Sequence, residues 1–350
     1  MHDNIQMRDF NREQYLRFWQ DLNRELRSIQ NKDGLSAALE ALRAQQRDQG
    51  FIRDDLESVE RYEFRHPDAA ARFFSVQYNP VRLQRFKGLG RTQPPPGVSP
   101  LYNGCFLCHD NIRWQQSGIE VGYDIKVAST AYIVWMNAYP LMPIHAVIAT
   151  KDHIPQAWAT NPDPADQFAI EHIIEDLVAL SNELPGYIGF YNGEGAGASI
   201  PGHLHYQFFK RPRTEMHFPL EMAPRTEIEG ALSLVEDYPV MAVCCRGSAE
   251  AVVRCMAAWA RDWVARTQLA SPSANIFSMV DAATRQTELY ISPRDQMRSH
   301  SLEMSGLIGG LEVLGELVFS SDDEKQRLDR GEVDYHAVER ILASVRVGLD

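Results

Sequence analysis

The sequence has little positive charge and few cysteines. Its 350 residues include 35 lysines and arginines against 47 acidic residues, a formal net charge of -12. A protein that binds a nucleic-acid backbone or an anionic membrane needs a basic surface, so this balance argues against both kinds of partner. Five cysteines in a chain of this length are too few for a disulfide framework, and metal binding or simple burial is the better expectation for them.

A long uninterrupted apolar run is also missing. The most apolar stretch, residues 131–149, is broken by Asn137, Pro140, Pro143 and His145, and such a stretch does not span a membrane as a helix. The first ten residues lack the apolar segment of a secretory signal, so we expect a cytoplasmic protein. The 44% of hydrophobic residues are typical of a folded chain, which is long enough for two domains or one enlarged domain.

The hydrophobic pattern of the first two thirds predicts an α+β fold. Apolar residues at three- and four-residue spacing predict helix from residue 11 to about 48, with a break near Gly34. Short neighbouring strands and one long helix follow, which indicates a largely antiparallel sheet. Strands are expected at residues 72–78, 132–136, 145–149, 187–191 and 203–209, a proline-rich loop at 87–100 and the helix at 164–182.

The last third of the chain repeats this order of elements. A strand is expected at residues 238–244, then a helix capped by Ser248, then strands at 275–280 and 288–291. No histidine pair occurs at the matching place, so we expect a duplicated unit whose second copy is degenerate. The expected segments are an N-terminal helical addition (1–70), a catalytic unit (71–215) and a degenerate second unit with a C-terminal helix (216–350).

The segment most informative about chemistry is residues 192–207. Side chains two apart on a strand share a face, so we expect His203, His205 and Gln207 to project together. The small residues 193–199 immediately before them allow backbone N–H groups to approach an anion, as in many phosphate-binding loops. A phosphate and an imidazole would therefore meet here.

These residues, together with residues 136–140, 149–153 and 104–108, resemble the transferase branch of the histidine-triad superfamily. That branch includes galactose-1-phosphate uridylyltransferases, diadenosine tetraphosphate phosphorylases and nucleoside-diphosphate-sugar phosphorylases. Residues 291–294 and 305–309 are similar to the end of the diadenosine tetraphosphate phosphorylases. The resemblance implies two histidine-triad-like units in one chain, and the exposed edges of such sheets would allow a homodimer.

The resemblance implies nucleotidyl transfer. His205 matches the family's nucleophile, which attacks the α-phosphorus of a nucleotide sugar or a dinucleoside polyphosphate and holds the nucleotide as a phosphoramidate. Gln207 stands where the hydrolytic branch has a third histidine. A glutamine amide hydrogen-bonds phosphoryl oxygens but cannot shuttle a proton, which favours phosphate or a sugar phosphate over water as the acceptor. Nucleotide hydrolysis is the competing activity, and a non-catalytic nucleotide sensor is the alternative without catalysis.

Other residues are expected to bind the substrate. By resemblance, Asn137 meets the ribose and Asn192 lies near the phosphates. Asn79 and Arg82 belong to a segment similar to one on the nucleotide side, in which Arg82 either pairs with a phosphate or is a solvated charge at a strand end. Ser199 would contact a phosphate, although it lies farther upstream of the histidine pair than the family's serine.

Cys105 and Cys108 have the spacing of metal ligands. A Cys-x-x-Cys pair with two distant histidines is a structural zinc pattern, and in the family the positions of His153 and His203 complete such a site. Rival ligands are two other histidines, His109 and His145. A buried cysteine pair without metal is the other interpretation, and a zinc ion here would have a structural role.

Overall fold

The computed structural model describes residues 12–54, 56–86, 99, 101–112, 121–157, 169–213 and 216–347. Within them the α-helices are α1 (Arg12–Asp33), α2 (Leu35–Asp48), α3 (His109–Ile112), α4 (Ile170–Glu183), α5 (Pro219–Met222), α6 (Ala249–Arg266), α7 (Gly310–Leu314), α8 (Asp322–Asp329) and α9 (Tyr335–Ala343). The strands are β1 (Glu60–His66), β2 (Ala69–Tyr78), β3 (Tyr123–Val127), β4 (Thr130–Met136), β5 (Ala146–Thr150), β6 (Tyr187–Asn192), β7 (His205–Lys210), β8 (Arg225–Glu229), β9 (Leu232–Val235), β10 (Val243–Gly247), β11 (Pro272–Val280), β12 (Thr287–Asp295) and β13 (Glu316–Phe319). Short 3-10 helices occupy Pro80–Phe86 and Leu101–Gly104.

One antiparallel sheet of ten strands dominates the molecule. Its order is β3-β4-β5-β7-β6-β11-β12-β10-β9-β8, and β6 pairs with β11 at its centre, with Asn192 opposite Asn275. The order 3-4-5-7-6 of the first half recurs as 8-9-10-12-11 in the second, and α4 and α6 occupy the same place in each half. The predicted α+β class with a largely antiparallel sheet and two similar units is confirmed.

The helices α1, α2, α4 and α6 pack on one face of this sheet. The predicted apolar face of α4 is buried there, with Ile174 and Leu177 inaccessible to solvent. Leu204, Tyr206 and Phe208 of the histidine segment face the same core, as the alternation of a strand requires. The N-cap of α6 is Ser248, as predicted, and its side chain accepts the N–H of Ala251.

Buried amides attach the N-terminal helices to the first half of the sheet. Gly34, at φ 87°, separates α1 from α2. The side chain of Asn23 accepts the N–H of Asp124 at 2.6 Å, and that of Gln46 accepts the N–H of Met136 at 2.8 Å. Unpaired buried amides cost free energy, so these bonds fix where α1 and α2 lie on the sheet.

A second, three-stranded sheet lies near the other face. Its order is β1-β2-β13, and β13 from the C-terminal part of the chain runs parallel to β2. The hydrophobic pattern did not predict β1, and the expected boundary at residue 70 falls within β2. Packing between β2 and β13 joins the expected second and third segments. The division into three segments stays a proposal about the organisation of the sequence.

Two predicted strands begin later than expected. The strand expected at residues 238–244 starts at Val243, because Pro239 has no N–H for a ladder and Asp237 has a φ of 52°. The strand expected from His203 starts at His205, because Leu204 donates its N–H to Ile154 outside the sheet.

Some expectations concern residues outside those described. They are the loop at residues 87–100, apart from residue 99, and the start of the helix expected at 164–182. None of the helices in the described part of the chain is long and apolar enough to cross a membrane.

Candidate active site

The ring of His205 is buried and held in one tautomer. Its Nδ1 lies 2.8 Å from the backbone oxygen of His203, which can only accept, so the ring proton is assigned to Nδ1 and the lone pair to Nε2. The residue is 4% exposed. Burial lowers the pKa of His205 to about 4, which leaves the imidazole neutral, as a nucleophile must be.

Gln156 fixes the backbone on which His205 stands. Its Nε2 donates to the carbonyl oxygens of Asn192 and His205, both at 2.9 Å. Its Oε1 accepts the N–H of His205 at 2.8 Å. This fully buried amide therefore bridges β6 and β7 at the point where their own ladder ends. No pattern in the sequence singles it out, because it lies in an irregular segment.

Gln207 is oriented by a second buried histidine. The Nδ1 of His145 accepts the N–H of Leu141 at 3.1 Å, so its ring proton is on Nε2, which lies 2.9 Å from the Oε1 of Gln207. The amide oxygen of Gln207 is thus engaged, and its NH₂ group is the part that can donate to a ligand. His145, a rival metal ligand in the sequence, has this positioning role instead.

Asn192 lies beside the glycine loop, at the boundary between the two halves. Its Oδ1 accepts from Asn275 at 2.8 Å, and Asn275 also donates to the backbone oxygen of Ala196 at 2.7 Å. Ser199, near the end of the loop, is exposed. The second half therefore holds the loop in place through Asn275.

The glycines of this loop also serve packing. Gly197 has a φ of 95°, and a Cβ there would lie 2.3 Å from the Cα of Gly309. A Cβ on Gly195 would lie 2.4 Å from the Cα of Gln296. The backbone of the second half thus passes directly against the loop. The sequence analysis, which considered only phosphate binding by these glycines, does not predict this contact.

Asn79 and Arg82 anchor the turn that carries Asn137. Asn79 donates to the carbonyl oxygen of Pro140 at 3.0 Å. The guanidinium of Arg82 donates to the carbonyl oxygen of Tyr139. Arg82 is 5% exposed, so the alternative of a solvated charge is wrong. The Oδ1 of Asn137 accepts the N–H of Tyr139 at 3.0 Å, which closes the turn.

Four side chains form a cluster that can hold a metal ion. The ligand atoms of Cys105, Cys108, His153 and His203 all lie within 4.8 Å of one another. The Sγ of Cys108 is 3.2 Å from Nδ1 of His153, and the Sγ of Cys105 is 3.4 Å from Nδ1 of His203. A tetrahedral zinc site of two sulfurs and two nitrogens has edges of roughly 3.3–3.8 Å. The donor set therefore fits such an ion, and these two sulfur–nitrogen distances are close to those edges.

Hydrogen bonding and burial prepare these ligands. Nε2 of His203 lies 2.7 Å from the carbonyl oxygen of Thr150, which assigns the proton to Nε2 and leaves Nδ1 for a metal. Hydrogen bonds from Cys108 and then His203 lower the pKa of the Cys105 thiol against the opposing effect of burial, and burial lowers the pKa of His153. The second rival ligand, His109, lies instead 4.3 Å from the ring of Trp19.

The comparisons with known proteins bear on the whole fold. The model of the family DUF4922, described as a domain of unknown function, matches residues 41–210. No curated protein matches the chain in sequence. The crystal structure of yeast Ap4A phosphorylase Apa2 in complex with AMP is similar, with a TM-score of 0.58 over 88% of this chain and 94% of that chain, at 14% identity. This protein has the Ap4A phosphorylase fold.

A second crystal structure of Apa2, in complex with Ap4A, is similar to this chain with a TM-score of 0.56. It covers 88% of this chain and 96% of the yeast chain, again at 14% identity. Diadenosine tetraphosphate phosphorylases are one member of the branch that the sequence resembles, so that resemblance is confirmed for the fold. The Ap4A phosphorylase fold here includes both halves of the ten-stranded sheet.

Proposed function

We propose that this protein is a nucleotidyltransferase that works through a covalent nucleotidyl-histidine on His205. The observation that carries the proposal is the neutral, buried ring of His205. Its Nδ1 proton is tied to the His203 carbonyl, so that Nε2 is the nucleophilic atom. Gln207 follows on the same face of β7, with its amide oriented by His145.

The first step would be displacement at the α-phosphorus of the donor. The Nε2 lone pair forms a bond to phosphorus while the bond from phosphorus to the bridging oxygen breaks, and that oxygen leaves as part of a nucleoside polyphosphate or, from a nucleotide sugar, a sugar phosphate. The imidazole gains positive charge, which the hydrogen bond from Nδ1 to the His203 carbonyl oxygen stabilises. The NH₂ group of Gln207 would donate to a non-bridging phosphoryl oxygen.

The second step would transfer the nucleotide to phosphate or a sugar phosphate. An oxygen of the acceptor attacks the phosphorus, and the bond from phosphorus to Nε2 breaks, which regenerates the neutral imidazole. Water would need a base to remove its proton. Gln207 cannot act as one, whereas an anionic phosphate already has a nucleophilic oxygen. This chemistry supports transfer over the competing hydrolysis.

A dinucleoside polyphosphate is the donor that we propose first, and a nucleotide sugar second. The support is that a solved structure with this fold is that of yeast Ap4A phosphorylase Apa2 in complex with Ap4A.

We also propose that the Cys105, Cys108, His153 and His203 cluster holds a zinc ion with a structural role. All four ligand positions would be filled by protein, which leaves no open position for substrate. His203 is two residues from the nucleophile, and its carbonyl oxygen is the acceptor for His205. A bound ion would therefore fix the group that orients the nucleophile.

An acceptor-dependence experiment tests the transfer proposal. Purified protein is incubated with Ap4A or with several nucleotide sugars, with and without phosphate, and the products are separated. We expect product formation to rise strongly with phosphate, while release of free mononucleotide into water stays slow. Equal turnover with and without phosphate would favour a hydrolase, and we would abandon the transferase assignment.

A further inference from the structure

Arg294 is a buried cation in the second half of the sheet. It lies on β12, which occupies the same position in the second half of the sheet as β7 does in the first half. The residue is inaccessible to solvent, and arginine is almost never fully buried unless it is paired. Burial lowers the pKa of Arg294 to about 10, so it is charged at neutral pH.

No carboxylate contacts this guanidinium among the described residues. Its partners are the Oδ1 of Asn275 at 2.6 Å and the backbone oxygens of Ile308 at 3.0 Å and Arg298 at 3.2 Å. Its Nε is buried without a hydrogen-bond partner within the described part of the chain. The charge of Glu312 acts on Arg294 from a distance. A buried charge that no carboxylate contacts within the described residues is costly, so stability alone does not account for it.

The bonds of Arg294 lead to the glycine loop beside the nucleophile. Because Arg294 donates to Oδ1 of Asn275, the Nδ2 of Asn275 must be the donor that reaches Asn192 and Ala196. The Oδ1 of Asn192 is then the acceptor, and its NH₂ group is the part available to a ligand. Arg294 thus sets the orientation of two amides in sequence, as His145 does for Gln207.

We propose that Arg294 is a positioning residue for phosphate binding. Through it, the second half of the sheet orients Asn192 and the Gly193–Gly197 turn. Its guanidinium also places a positive charge behind them. This inference rests on the proposed function, since it takes the loop to bind the donor's phosphates. It assigns a role to the half that lacks the histidine pair. The ligand that it selects is a chain of several phosphates, because the attraction of a fixed charge grows with the charge of the ligand.

The test is binding of inorganic tripolyphosphate and of inorganic phosphate to the full chain, measured by calorimetry together with the melting temperature. In Arg294→Met we expect tripolyphosphate to bind about tenfold more weakly or worse, because a hydrogen-bonded charge contributes roughly that much. Inorganic phosphate should be affected less. Arg294→Met leaves the acceptors on Asn275, Ile308 and Arg298 without their donor, so the melting temperature should fall, and the difference between the two phosphate ligands is the result that distinguishes a positioning role. In Arg294→Lys, which keeps the charge, binding should be intermediate.

Arg211→Met is the matched control. This arginine is also largely buried, but its guanidinium bonds both carboxylate oxygens of Glu221 at 2.8 and 2.9 Å. Its loss should lower the melting temperature and leave tripolyphosphate affinity unchanged. A structural role for Arg294 would instead weaken the binding of both phosphate ligands equally.

Three results would overturn the inference. They are unchanged tripolyphosphate affinity in folded Arg294→Met, unchanged affinity in Arg294→Lys if the methionine variant does not fold, and no tripolyphosphate binding by the wild-type protein. The transfer proposal fails separately. If the wild-type protein formed no adduct on His205 while tripolyphosphate binding still depended on Arg294, only the catalytic assignment would be withdrawn.

Discussion

At the scale of single residues, the candidate site depends on side chains that hold other side chains. Gln156 fixes the backbone of His205, and His145 fixes the amide of Gln207. His205 and Gln207 were predictable, because their spacing on a strand and the small-residue loop before them are local features. Gln156 and His145 were not, because their partners lie 49 and 62 residues away in the chain.

Replacing His145 by phenylalanine tests the orientation of Gln207. An aromatic ring is kept at the position, although a larger one, but the donor to Gln207 Oε1 is lost, so the amide is free to turn its oxygen toward the phosphoryl group. We expect turnover to fall about ten- to a hundredfold, the range for a misplaced transition-state donor. The KM for donor should change much less. Steady-state kinetics with Ap4A and phosphate measure both.

Two further variants make this result specific. His145→Gln keeps an amide donor toward Gln207 and should recover part of the turnover. His109→Phe changes a histidine that packs against Trp19 and should have wild-type kinetics. If His145→Phe retained wild-type turnover, Gln207 would not need His145 for its orientation.

At the scale of elements, the glycine loop and the metal cluster connect parts of the chain that the sequence shows separately. The strands β4, β5, β6 and β7 of the first half were recognisable from the sequence, and so was α4 from its apolar face, whereas β3 was missed. The β1 strand was missed, because it is mostly exposed and charged, and so was the pairing of β6 with β11. Both depend on partners that no local pattern contains.

Gly197→Ala tests the contact between the loop and the second half. The residue has a φ of 95°, and its new Cβ would meet the backbone of Gly309. We expect a loss of stability of about 1–3 kcal/mol and a higher KM for donor, measured by denaturant unfolding and kinetics. Gly202→Ala is the control, because nothing lies within 4 Å of a Cβ there. Equal effects of the two substitutions would contradict this account of the loop.

Metal content tests the Cys-x-x-Cys cluster. We expect about one zinc per chain in purified protein. Cys108→Ser should lose the metal and lower the melting temperature by roughly 5–10 °C, as expected for a loss of a few kcal/mol. Cys255→Ser, a half-buried cysteine outside the cluster, should retain both. Elemental analysis measures the metal content, and calorimetry measures the melting temperature. A wild-type protein that is stable and fully active without metal would contradict the proposed zinc site.

At the scale of the whole molecule, one sheet joins a half that carries the proposed nucleophile to a half without one. The repeated order of elements in the sequence predicted the two units. It did not predict that β6 and β11 would fuse them into ten continuous strands, nor that Asn275 of the second half would bond Asn192 of the first. The second half therefore takes part in shaping the site, although it has no histidine pair at the position that matches His203 and His205.

The central claim is that His205 becomes nucleotidylated. Intact mass spectrometry of the wild-type protein mixed with Ap4A or a nucleotide sugar, without acceptor, measures this directly. We expect a gain of one nucleoside monophosphate through an acid-labile, base-stable linkage, its loss when phosphate is added, and no gain in His205→Ala, which should still bind donor. An adduct that persists in His205→Ala, or no adduct and no product with any of these donors, would contradict the account and favour a nucleotide sensor.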